Sequence, residues 1–147
     1  MNSGNSINRI LWIKALLNGL LAWIIGFILL MLPAFVVAIK MGIKLGPKSE
    51  DPASLSKQIS QTISAMYQDN LLLTVGFIIV TALLIFWRAK NVAKGTGKNK
   101  IINGLIVSVF PVVFNLLFMI STGFDTSSIL GLIAFFGAGY AGGFYSK

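Results

Sequence analysis

The fold class predicted for this chain is an all-α integral membrane protein with four transmembrane helices, and three observations predict it. Its 147 residues are 56% hydrophobic and only 11% charged, whereas about a quarter of the residues in a soluble domain carry charge. The apolar residues gather into four runs of spanning length, separated by polar segments. The cations concentrate in one of those segments, RAKNVAKGTGKNK, which holds Arg88, Lys90, Lys94, Lys98 and Lys100 and no acid.

Residues 1–14 read as a polar and basic tail, followed by one four-span domain over residues 15–147. The first apolar run, about 15–39, rises far enough at about 1.5 Å per residue to cross a bilayer with some tilt. It is longer than the apolar core of about 7–15 residues in a signal peptide, so it is expected to remain uncleaved. Pro33, in its last third, predicts a kink or the end of the regular helix.

Residues 40–70 form the long polar stretch. Asp51 before Pro52 has the form of a helix start, with a carboxylate as N-cap and proline at the first helical position. Leu55, Ile59, Ile63 and Met66 then recur at steps of four, four and three, which predicts an amphipathic helix over about 52–68 on the outer side of the membrane. A second span, about 70–87, ends on Trp87 and Arg88, an aromatic and cationic interfacial anchor. The third is expected over about 101–121 and the fourth over about 129–145, joined by the polar connection from Ser121 to Ser128.

Orientation follows from the cations, because cytoplasmic loops next to a membrane are enriched in Lys and Arg. Four spans put Arg9, Lys14, the five cations of 88–100 and Lys147 on one side and Lys40, Lys44, Lys48 and Lys57 on the other. Eight against four predicts a cell membrane protein with both termini cytoplasmic. The same count accounts for the formal charge of +8 without a nucleic-acid partner, and it assigns anionic lipids to the basic segment.

A repeat is visible between the first and third spans. Lys14 is followed by Asn18-Gly19-Leu20 and Lys100 by Asn103-Gly104-Leu105, and each run later contains a proline, Pro33 or Pro111. The partner spans close with the aromatic pairs Phe86-Trp87 and Phe144-Tyr145 next to a basic end, and together these matches point to two repeated helical hairpins.

The chemistry is mostly excluded. Cysteine and histidine are both absent, which removes thiol nucleophiles, the commonest metal ligand and the commonest general base. No Asp, Glu, Lys, Arg or His falls in the middle of a span, which argues against a proton-coupled carrier. Gly95-Thr-Gly-Lys98 is followed by Asn99, not by the Ser or Thr of a phosphate-binding loop, and its flanks are spanning helices. We therefore expect no catalytic, cofactor-binding or metal-binding residues and no enzyme activity.

Two sets of residues remain as candidates. Asn18, Asn103, Ser108 and Asn115 are polar within spans; Asn103, Pro111 and Asn115 lie at multiples of four and share a helix face. They are read as interhelical hydrogen-bonding groups, or as the lining of a small-solute path. In the fourth span, Gly131, Ala134, Ala138, Gly139, Gly142 and Gly143 form stripes of small residues at steps of about four, which allow helix backbones to approach closely in lipid. Their partner is a helix of this chain, a second copy or another membrane subunit. The functional expectation is a structural or accessory subunit of a membrane assembly, and the alternative is a small channel or permease lined by the third span.

Overall fold

The computed structural model describes residues 10–45, 51–69, 71–123 and 125–146. The tail at 1–8 and Arg9, Lys48, Glu50, Asn70 and Lys147, which enter the charge count and span limits, lie outside the described residues. All regular elements among the described residues are helical: α1 (Trp12–Leu45), α2 (Pro52–Asp69), α3 (Leu71–Ala93), a 3-10 turn (Gly97–Asn99), α4 (Lys100–Thr122) and α5 (Thr126–Phe144). Four of these segments, Trp12–Leu45, Leu72–Ala93, Gly97–Ser121 and Thr126–Phe144, are long and apolar enough to cross a membrane.

The elements start and stop for reasons that can be named residue by residue. The Leu11 N–H, just ahead of α1, donates to Asn103 Oδ1 at 2.7 Å. Pro33 does not end the helix, which continues to Leu45; where little water competes for the freed carbonyl, a proline removes one hydrogen bond without offering the backbone a better conformation. Asp51 caps α2 by accepting from the Ala53 and Ser54 N–H groups at 2.9 and 3.1 Å.

Helix α3 runs past Trp87 to Ala93, so the first half of the basic segment is helical rather than loop, in keeping with the helix propensity of Arg, Ala and Lys. Reversal follows at Gly95 and Gly97, whose φ values of 78° and 59° lie in the left-handed region. Thr96 closes α3 by donating its hydroxyl to the Ala93 carbonyl at 2.7 Å. Helix α5 starts three residues earlier than its apolar run suggests, because Asp125 accepts from the Ser128 N–H at 2.7 Å and acts as N-cap. Hydrogen bonds from the Ser128 side chain and backbone hold the Asp125 carboxyl below its ordinary value.

The fold divides into two compact units, Met1–Gly26 with Ile78–Lys147, and Phe27–Phe77. In the first unit the helices form a closed ring of neighbours. Helices α1 and α4 run parallel, with Trp23 stacked on Phe114 at 4.1 Å between ring centres. The ring continues antiparallel from α1 to α3, where Gly26 lies against Thr81. Helices α3 and α5 are parallel, with Gly142 against Ala89 and Gly131 near Ile78, and α5 returns antiparallel to α4. The core is mostly small or β-branched, with Ala15, Ala22, Ile85, Ala89, Val92, Ala93, Ile106 and Val107 buried together with Met119 and Phe135.

The second unit is more open. Its buried apolar residue among those described is Ala34. Along α2 the half-buried positions up to residue 66 are Leu55, Ile59, Ile63 and Met66, the four that define its apolar stripe, and the remainder are exposed.

Candidate functional site

Asn18, Asn103, Ser108, Gly139, Gly142 and Gly143 lie toward the end of the first unit where α1 and α4 begin and α3 and α5 finish, whereas Asn115 and Gly131 meet nearer the other end. Their contacts are set by absent side chains. A β-carbon on Gly139 would lie 2.8 Å from the Gly104 carbonyl oxygen and 2.8 Å from Ser108 Oγ, and one on Gly143 would lie 2.6 Å from the Lys100 carbonyl oxygen. Both glycines therefore sit against the backbone of α4. Gly142 faces the other way, where a β-carbon would meet Ala89 Cβ and the Phe86 carbonyl oxygen at 2.6 Å. Gly131 lies beside Asn115, with Nδ2 at 2.5 Å from the same hypothetical atom. Ala134 and Ala138 are half-buried, and Gly137 has nothing within 4 Å of an added β-carbon.

The intramembrane polar candidates are not gathered around one space. Asn103, fully buried, accepts from the Leu11 N–H and so ties the start of α1 to α4. Asn18 donates to the Lys14 carbonyl at 2.8 Å, and its Oδ1 accepts from Arg88 Nη1 at 3.3 Å. Ser108 donates back to the Leu105 carbonyl at 2.7 Å, the usual turn-back bond of a hydroxyl inside a helix. The two Asn-Gly steps, near the starts of α1 and α4, thus have different surroundings: Gly104 is pressed on α5, while Gly19 is pressed on the Val107 carbonyl of α4.

The basic segment divides in the same way. The Arg88 guanidinium lies 5.0 Å over the Trp87 ring besides reaching Asn18, a cation–π placement. Lys100 Nζ donates to the Ser146 carbonyl at 2.9 Å, and the Ser146 hydroxyl donates to the Gly143 carbonyl at 2.8 Å, which fastens the end of the chain to the start of α4. Lys90, Lys94 and Lys98 are exposed. Lys90 and Lys94, with Phe86, Asn91 and Tyr145, line an open cleft of about 580 Å³.

Sequence reasoning passed over two features of this end. Ala15, Gly19, Ala22 and Gly26 are all buried at steps of four, three and four, a second small-residue stripe whose signal was present in the spacing. Asn91 joined no motif, and Tyr145 stood out only as half of the aromatic pair Phe144-Tyr145 that closes the fourth span. Among the described residues no group of acidic side chains could hold a metal ion. Comparison with protein-family models, with curated proteins and with solved structures gives no match.

Proposed function

We propose that the chain is a four-span protein of the cell membrane and serves as a structural or accessory subunit of a membrane assembly, without a catalytic role. One observation carries this reading. Gly19, Gly26, Asn103, Gly104, Gly139, Gly142 and Gly143 of the first unit are turned onto neighbouring helices of the same chain, while large apolar residues such as Ile13, Leu17, Ile120, Ile133 and Phe136 lie exposed. An apolar exterior on this scale suits lipid or another membrane subunit, and the inward groups support a packing role rather than chemistry. The eight-to-four distribution of cations supports cytoplasmic termini. The matched openings of α1 and α4 support an ancestral pair of hairpins that has since differentiated.

Two experiments test the reading. With Lys98→Cys and Ser56→Cys introduced singly, an impermeant thiol reagent applied from outside should label only the second; external labelling at position 98 would reverse the topology. After mild detergent extraction from native membranes, the chain should run in a complex of fixed stoichiometry, with itself or another membrane subunit, and a lone monomer throughout would contradict the accessory role. The channel reading keeps one observation in its favour. The Asn115 amide is half-buried and forms no hydrogen bond among the described residues.

A further inference from the structure

The five cations of the basic segment have different local environments. Arg88 and Lys100 have partners within the chain, at Asn18 with Trp87 and at the Ser146 carbonyl. Lys90 and Lys94 form no hydrogen bond or ion pair with their ammonium groups among the described residues, yet they stand one helical turn apart, the Lys94 N–H donating to the Lys90 carbonyl at 3.2 Å.

Lysines near the end of a helix usually have a local explanation, neutralising its terminal carbonyls. Here the Lys90 carbonyl is taken by the Lys94 N–H, and the Ala93 carbonyl by the N–H and hydroxyl of Thr96. Nor do the described residues offer a carboxylate to pair with, since the acid of this unit among them is Asp125, at the opposite end of α5. Two ammonium groups held one turn apart without a counter-ion repel each other, and an anion between them relieves that.

We propose that the cleft is a binding site for a phosphate group, with Lys90 and Lys94 supplying charge, the Asn91 amide a neutral donor, and Phe86 and Tyr145 the apolar walls for whatever carries the phosphate. Its volume of about 580 Å³ falls in the range of small-molecule sites. It is open, and aromatic residues beside lysines are the combination that recurs at the headgroup level of membranes. A phosphodiester lipid headgroup and a soluble phosphate share this chemistry.

The test uses the full chain in two arms. In detergent, the thermal midpoint is followed against inorganic pyrophosphate; in nanodiscs, lipid retained by the protein is compared between phosphatidylglycerol and phosphatidylcholine. The paired substitution Lys90→Gln with Lys94→Gln should weaken the response by about tenfold or more, from two cations acting on an anionic group. Lys14→Gln with Lys98→Gln removes the same charge outside the cleft and should change it by less than about threefold. Lys90→Arg with Lys94→Arg should restore binding, which separates loss of the site from loss of the fold. A response confined to phosphatidylglycerol assigns the site to lipid, and an equal response to pyrophosphate assigns it to soluble phosphate. Equal losses in the two glutamine pairs, or no response to either ligand in the parent, would overturn the proposal. The lipid assignment rests on the membrane placement proposed above, but the pyrophosphate arm does not, so failure of one is distinguishable from failure of the other.

Discussion

The two halves of α1 carry no charged residue between Ala15 and Ile39 and are used in opposite ways. Before residue 27 the helix presents Ala15, Gly19, Ala22 and Gly26 as a buried stripe, with Gly19 against the Val107 carbonyl and Gly26 against Thr81. From Phe27 onward only Ala34 is buried among its apolar residues, and Phe35, Val36, Ile39 and Ile43 are exposed. Helix α3 repeats the contrast in reverse order, with Thr81, Ile85 and Ala89 buried and none of residues 72–77 buried. The difference teaches that hydrophobicity does not bring these helices together. Where apolar side chains face apolar surroundings, close approach comes from van der Waals contact, and contact needs missing side chains at regular steps.

The largest effect should come from filling that contact. Gly139→Leu and Gly143→Leu each place a branched side chain where a single carbon would already lie 2.6 to 2.8 Å from α4 backbone or Ser108, and should cost about 1–3 kcal/mol or more. Gly42→Leu and Gly76→Leu, with nothing within 4 Å of an added β-carbon, should cost less than about 0.5 kcal/mol. Thermal midpoints in mild detergent read both sets, and equal losses would erase the distinction between the regions.

Next in size is the buried hydrogen bond between α4 and the start of α1. Asn103→Leu keeps most of the volume but leaves the Leu11 N–H without its acceptor, a loss of about 1–3 kcal/mol if that group stays dry. Amide exchange at Leu11 and Trp12 should accelerate while exchange along α2 does not.

Smaller again is the cap of α5. Asp125→Ala should cost about 0.5–2 kcal/mol. Because the folded carboxyl titrates below its ordinary value of 3.8, its contribution is fully present above that value and fades as pH falls through the folded one. The parent should therefore lose stability on acidification below about pH 4 in a way that the variant does not, as a pH series of thermal midpoints would record.

The smallest effect is expected at Thr81, whose buried hydroxyl oxygen has no hydrogen-bond partner among the described residues. Thr81→Val gives up no bond and should leave the midpoint within about 0.5 kcal/mol of the parent. A loss comparable to that of Asn103→Leu would show that the hydroxyl does hold α1 and α3 together.

These contrasts also mark what could be read in the chain beforehand. The four long apolar helices follow from composition and run length, and the start of α2 follows from Asp51 and Pro52, because each is a local property. The extension of α3 over Arg88–Ala93 was hidden by reading cations as loop, although nothing in RAKNVA opposes a helix. The glycines at 139, 142 and 143 stand out in the sequence, but their assignment to α4 or α3 depends on which helices are neighbours, which no local pattern encodes. The same is true of the cations. Only the folded chain distinguishes Lys100, which reaches the Ser146 carbonyl, from Lys90 and Lys94, which line the cleft.

At the centre of the account is the claim that the polar groups of α4 serve packing and do not line a path. Solute flux into liposomes reconstituted with the purified chain, measured beside its Asn115→Leu variant across small neutral and ionic solutes, tests it most directly. Parent and variant should both match protein-free liposomes. Selective flux in the parent, abolished by the substitution, would contradict it.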